Sequence, residues 1–175
     1  MKLPNLLLIA GTLTKAGKTS MACAIIDHFH NLRITAIKIT PHFHEITEGL
    51  VPISEKAGYS IYKETNRENS KDTSRMLKSG AHEVYFAKVW DDQLLVVFNE
   101  IMKCIPSNTP IICESPALIN YIEPGVFIIM TSGAVNNQMN LSHLQTLHHV
   151  MFKLEEVEKI DNLPFRFDGG RWLYT

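Results

Sequence analysis

Runs of consecutive apolar residues alternate along this chain with segments whose apolar positions recur every three or four residues. That is the pattern of buried parallel strands joined by amphipathic helices. The first run, Leu6-Leu7-Leu8-Ile9-Ala10, predicts a strand, and Met21, Ile25, Ile26 and Phe29 mark one face of a helix over Lys18–Leu32. Ile34–Ile39 predicts a second strand, stopped by Pro41. Residues 40–70 are polar and aperiodic, and are expected to form an irregular loop. A loop of that length in a compact domain is either functional or disordered. Asp72 stands where it would cap a helix ending at Gly80, after which Glu83–Val89 predicts a strand and Asp91–Cys104 a helix. Pro110–Glu114 and Val126–Met130 suit strands inside a parallel sheet, Ser142–Lys159 predicts a helix, and Phe165–Tyr174 predicts a hairpin turning at Gly169-Gly170. The expected architecture is a single α/β domain over residues 1–175, with a mainly parallel sheet, helices on both faces and a C-terminal hairpin. Its ligand is expected at the carboxyl ends of the strands.

The first strand and the first helix are joined by Gly11-Thr12-Leu13-Thr14-Lys15-Ala16-Gly17-Lys18-Thr19, followed by Ser20. Glycine lets backbone approach a polyphosphate, successive N–H groups converge on its oxygens, and the next helix presents its positive end to the same anion. Gly11, Thr12, Thr14, Lys15, Ala16, Gly17, Lys18, Thr19 and Ser20 are therefore the candidate phosphate-binding residues. Lys18 would reach the β- and γ-phosphates, and the Thr19 hydroxyl would hold Mg²⁺. The spacing G-x-x-x-x-G-K-[ST] puts its first glycine at position 12, where this chain has Thr12, so the loop is a variant one residue longer.

Composition narrows the class of protein. The chain has 175 residues, 45% of them hydrophobic and 20% charged, enough for one domain with a real core. A net charge of −1 leaves no basic footprint, so nucleic acid is not an expected partner. Cys23, Cys104 and Cys113 form no C-x-x-C pair and sit in apolar patterns, which fits a reducing cytoplasm. No charged region leads into a cleavable apolar stretch, and Leu6–Ala10 is too short to span a bilayer, so neither export nor a membrane is expected.

Three further places carry chemistry. Glu114 ends the run Pro110-Ile111-Ile112-Cys113, where a carboxylate can support Mg²⁺ beside Thr19. Lys38, late in the second strand, can bring an ammonium to a transferred phosphate or a substrate anion. His42 and His44 beyond it are open to two readings, a metal or acid–base pair and plain loop histidines. Lys71-Asp72-Thr73-Ser74-Arg75 can cap and decorate a helix or close over phosphates with Asp72 and Arg75 in the site, and the two roles are compatible. On the second reading residues 45–75 form a lid, because Lys63–Arg67 has too few apolar residues to order by burial.

Gly11, Thr12, Thr14, Gly17, Lys18 and Thr19 resemble the loop Gly-Thr-x-Thr-x-x-Gly-Lys-Thr of dethiobiotin synthetase-like ATPases. Across residues 5 to 130 the chain also resembles the molybdopterin-guanine dinucleotide biosynthesis protein B family, a GTP-binding relative of that group. The match lies in Ile37-Lys38 with His42 and His44 nearby, in Lys71-Asp72-Thr73-Ser74-Arg75-Met76-Leu77-Lys78-Ser79-Gly80-Ala81, and in Cys113-Glu114. The departures are Thr109 in place of an aspartate, Ser115-Pro116 in place of a glycine after Glu114, and no Glu-Gly-Ala-Gly-Gly segment. These resemblances imply a P-loop nucleoside triphosphatase, with ATP or GTP as substrate and Mg²⁺ as cofactor. Lys18, Lys38 and Glu114 would be its catalytic residues, and Thr19 and Glu114 its metal ligands. Phosphoryl transfer, hydrolysis, a dethiobiotin synthetase-like ligation and slow turnover as an adaptor in cofactor synthesis all stay open, as does the second substrate or partner protein. A homodimer is implied by the resemblance. Asn136-Asn137 is the sole candidate for a base contact.

Overall fold

The apolar run Leu6–Ala10 becomes the middle of β1 (Lys2–Gly11), and its burial on both sides sets the architecture. The computed structural model describes residues 1–11, 16–43, 45–131, 149–157 and 163–175. β1 runs parallel to β6 (Ile111–Glu114) on one side and to β7 (Glu123–Thr131) on the other. Beyond β7 lies β8 (Val150–Lys153), also parallel. Beyond β6 come β2 (Thr35–Thr40) and β5 (Glu83–Val89), again parallel. The sheet is completed on that side by β4 (Tyr59–Glu64), antiparallel to β5, and β3 (Leu50–Lys56), antiparallel to β4. The order across it is β3-β4-β5-β2-β6-β1-β7-β8.

Helices cover both faces, as expected. α1 (Lys18–His28) and α2 (Asp72–Lys78) pack Met21, Ile25, Ile26, Met76 and Leu77 against Leu7, Ile9, Ala36 and Ile112. On the other face α3 (Leu94–Met102) packs Leu94, Val97, Phe98 and Ile101 against Leu6, Leu8, Ile37 and Ala87. Side chains alternate across a strand, so each strand feeds both layers. α1 ends at His28, short of Leu32, and the chain turns there through Phe29 and Leu32.

Two expectations are corrected. Residues 40–70 are not irregular throughout, because Leu50–Lys56 and Tyr59–Glu64 form a hairpin on the sheet edge, with irregular segments left on either side of it. Tyr59 and Ile61 fill the α3 face while Tyr62 lies buried on the other, so the segment orders by burial after all. The charges Glu55, Lys56, Lys63 and Glu64 hid this alternation in the sequence. Among the described residues of the expected helix Ser142–Lys159, residues 150–153 are strand β8 and Leu154–Val157 are helical (α4). Residues 142–148 and 158–159 lie outside the described residues.

The C-terminal hairpin forms as expected, from β9 (Phe165–Asp168) and β10 (Arg171–Tyr174). Gly169 and Gly170 have φ of 55° and 76°, the pair of left-handed residues that a tight hairpin turn demands. Trp172 is its anchor. The indole is 1% exposed, donates from Nε1 to the Ile111 carbonyl at 3.1 Å, and meets the Phe29 and Phe167 rings edge-on at 5.2 and 5.1 Å.

Trp172→Ala removes that packing and leaves a cavity, so it should cost about 3–5 kcal/mol in urea unfolding. Arg166→Ala, at an exposed position of the same hairpin, should stay within about 0.5 kcal/mol of the parent. Equal effects would mean that the hairpin lies outside the cooperative core.

Candidate functional site

Strand β1 ends at Gly11 and the chain re-enters the described structure at Ala16, just before α1. Gly17 has φ +89° and stands at the N-terminus of α1, where among the described residues no side chain caps the helix and no acid occupies the first turn. A methyl group at Gly17 would come within 2.7 Å of Leu154 Cδ1, so α4 leans directly on the loop. One at Gly11 would meet Lys18 Cγ and Cδ at 3.0 Å, which places the lysine stem across the strand end. Thr12, Thr14 and Lys15 lie outside the described residues, as do His44 and Asn136-Asn137.

A cavity of ≈ 350 Å³ opens beside this helix end, lined by Lys18, Lys38 and Arg75 as cations and by Asp72 and Glu114 as acids. Glu114 is the last residue of β6, opposite Lys38 of β2 in register, and only 4% exposed. Thr19 Oγ1 donates to Glu114 Oε2 at 2.8 Å, and Lys38 Nζ donates to Glu114 Oε1 at 3.0 Å. The same ammonium donates to Asp72 Oδ2. Arg75 Nη1 lies 3.8 Å from Asp72 Oδ1, while its Nη2 donates to Ser20 Oγ at 3.3 Å.

Charge states follow from these contacts. Burial alone would lower the Lys38 pKa, but the Glu114 and Asp72 carboxylates outweigh it and hold the ammonium above its ordinary value. Burial alone would raise Asp72, and the Lys38 ammonium outweighs that, keeping the carboxyl below its usual range.

Asp72 does not cap α2. The N-cap is Lys71, with an extended backbone and no capping side chain, and Asp72 is the first helical residue with its carboxylate turned to Lys38. α2 is held in place by Glu64, 2% exposed, whose Oε2 accepts from Thr73 Oγ1 at 2.7 Å. Its Oε1 accepts the N–H groups of Thr65 and Asn66 at 3.1 and 2.9 Å, and Ser74 Oγ donates to the Asn66 carbonyl at 2.7 Å.

Lys18, Thr19, Ser20, Lys38, Asp72, Arg75 and Glu114 thus meet in one cavity. His42 does not line it; its backbone N–H donates to Thr40 Oγ1, and among the described residues no three His, Cys, Asp or Glu side chains gather as a metal site. Sequence reasoning missed Leu154 and Glu64. Thr73 carried a signal inside the Lys71–Arg75 pattern, whereas nothing local in the sequence pointed to Glu64 as its acceptor.

No protein-family profile and no curated protein matches this chain. Among solved structures, LpxK from Aquifex aeolicus in complex with ATP aligns with it at a TM-score of 0.51 and 13% identity. The alignment covers 93% of this chain and 52% of that one, so the chain spans about half the length of this neighbour. At that identity the likeness is one of fold, and with the sheet order above it shows that the chain has the P-loop nucleoside triphosphate hydrolase fold. No helix among the described residues is long and apolar enough to cross a membrane.

The cluster makes Lys38 and Glu114 interdependent. Glu114→Gln should cost less stability in a Lys38→Met background than in the parent, with a coupling of about 0.5–3 kcal/mol in a double-mutant cycle. Simple additivity would show that the observed pair does not couple in solution.

Proposed function

We propose that residues 1–175 form one nucleotide-binding domain that takes ATP or GTP with Mg²⁺ and transfers or hydrolyses its terminal phosphoryl group. The observation that carries this is the 2.8 Å Thr19–Glu114 hydrogen bond at an uncapped helix N-terminus, with Lys38 on the second carboxylate oxygen. The free N–H groups and positive end of α1 suit a phosphate, and the Lys18 stem across Gly11 carries a cation toward the same anion. Thr19 Oγ1 and the Glu114 and Asp72 carboxylates present oxygen donors side by side, the donor chemistry that Mg²⁺ takes. Thr19, Glu114 and Asp72 would hold Mg²⁺ there, where it would supply positive charge to the triphosphate. Lys38 stabilises charge on the transferred group, and Arg75, braced on Ser20, flanks it. That LpxK, the neighbour in fold, is in complex with ATP makes ATP the first nucleotide to test.

A second reading places the domain near the molybdopterin-guanine dinucleotide biosynthesis protein B family, as a GTP-binding homodimeric adaptor with slow turnover. It is supported by Asp72 and Arg75, the residues of the Lys71–Ala81 match that line the cavity with Lys38. Turnover by the isolated chain separates the two readings, since only the first expects it at an ordinary rate.

Triphosphate with Mg²⁺ at a hundredfold over its dissociation constant should add about 2.7 kcal/mol, or about 5–10 °C in the unfolding midpoint. Lys18→Ala should lose most of that shift, and Glu114→Gln should lose its dependence on Mg²⁺. No shift with any nucleotide in the parent chain would overturn the proposal.

A further inference from the structure

The charged cluster occupies one face of the sheet, and the same face continues past it into a second group of side chains. Register pairs Lys38 with Phe86 and Thr40 with Lys88 across β2 and β5, and Tyr62 with Phe86 across β5 and β4. Because side chains alternate, Glu114, Lys38, Phe86, Lys88 and Tyr62 stand on one side of the sheet. Phe86 and Tyr62 stack with ring centroids 6.3 Å apart. Lys88 is 7% exposed, with its ammonium 5.4 Å from the Tyr62 ring centroid and 5.9 Å from that of Phe43. Phe43 in turn lies 6.1 Å from Trp90, and these two rings are 46% and 56% exposed. A lysine nearly closed off from water thus stands against Phe43 and Tyr62, with the Phe43 and Trp90 rings open to solvent beside it, at the carboxyl ends of β2 and β5.

Direction across the sheet gives this group a role, on the proposed reading of the phosphate site. The loop that would hold the leaving end of a triphosphate follows β1, and Glu114 and Lys38 lie successively on β6 and β2. In-line transfer puts the acceptor on the far side of the transferred phosphorus from the leaving oxygen. Continuing from β1 through β6 and β2 leads to β5 and β4, where Lys88, Tyr62, Phe43 and Trp90 stand. The nucleoside end is left to the β7 and β8 side. A shielded ammonium attracts an anion more strongly than an exposed one, and open aromatic faces favour a flat or apolar body.

We propose that Lys88, Phe43 and Trp90 form the acceptor subsite, recognising a small molecule that joins a carboxylate or phosphate to an apolar, planar body. Lys88 takes the anion and the two exposed rings take the body. Charge complementarity is the basis, since a neutral apolar acceptor would leave Lys88 without any part in recognition.

The test uses two probes, naphthalene-2-sulfonate and the neutral 2-naphthalenemethanol, titrated calorimetrically into the full chain. The parent should bind the anion about tenfold more tightly than the neutral probe, the ratio of one charge-assisted hydrogen bond. Lys88→Met should remove the preference while keeping the neutral probe's affinity. Phe43→Ser and Trp90→Ala, at exposed positions, should weaken both probes and serve if the Lys88 variant does not fold. Unchanged binding in Phe43→Ser and Trp90→Ala, or an anion preference that survives Lys88→Met, overturns the subsite. The midpoint shift from ATP with Mg²⁺ should persist when the sulfonate is bound. Mutual exclusion would assign the rings to the nucleoside end and overturn the acceptor role. A parent chain that binds the sulfonate as described yet shows no nucleotide shift would sink the phosphoryl-transfer reading, and the acceptor role with it. A normal nucleotide shift without the anion preference sinks the subsite alone.

Discussion

The Lys38 ammonium, held between the carboxylates of Glu114 and Asp72, is the contact on which the site depends. It ties β2 to β6 and to the first turn of α2, elements far apart in sequence that meet at the carboxyl end of the sheet. Glu114 is too enclosed to stand alone, since an uncompensated buried charge costs about 3–5 kcal/mol. Lys38 neutralises it from one side and Thr19 binds it from the other. On the proposed reading, each member of this cluster would find a substitute partner in a metal–triphosphate complex, the lysine in phosphate oxygens and the carboxylates in the cation. The charges that stabilise the cluster are then the same ones that would receive the ligand.

A second buried carboxylate sets the position of the first group. Glu64, at the end of β4, binds the Thr73 hydroxyl on α2 and the two N–H groups that follow it in the chain. The residue before Thr73 is Asp72, so the edge hairpin fixes where that carboxylate meets Lys38. This explains why a segment that reads as loop in the sequence is built as sheet. A free loop would leave Asp72 and Arg75 to find their partners at an entropic cost on each binding event; a hairpin hydrogen-bonded to β5 settles that cost during folding.

Much of this was legible in the sequence because it rests on local pattern. The strand–glycine–lysine–helix order, the apolar run closing on Glu114, the late lysine of β2 and the Asp72–Arg75 segment all carry their chemistry within a few residues. The hairpin Leu50–Glu64 was not legible, since an edge strand has one exposed face and its charges outvoted Tyr59, Ile61 and Tyr62. In the sequence Asp72 reads as a cap as well as a site residue because capping is a local preference, whereas the pull of Lys38 is a contact across 34 residues. Lys88 sat unremarked in Phe86-Ala87-Lys88-Val89, although a lysine alternating with aromatics late in a buried strand was a signal of the same kind as Lys38.

The two ends of the central strands are secured differently, and the difference has a physical reason. At the amino end of β6, Trp172 fills a core position and satisfies the Ile111 carbonyl, a contact that loses nothing by being rigid. At the carboxyl end, Leu154 rests on Gly17, whose missing side chain leaves the backbone bare and whose φ of +89° suits glycine alone. Packing against a glycine holds the helix N-terminus in place, and among the described residues no side chain caps its N–H groups. A polar cap would have anchored the same helix more directly and consumed the groups that a phosphate requires. On the proposed reading, the apolar brace thus holds the start of α1 by hydrophobic contact while the helix end keeps its hydrogen-bonding capacity for the ligand.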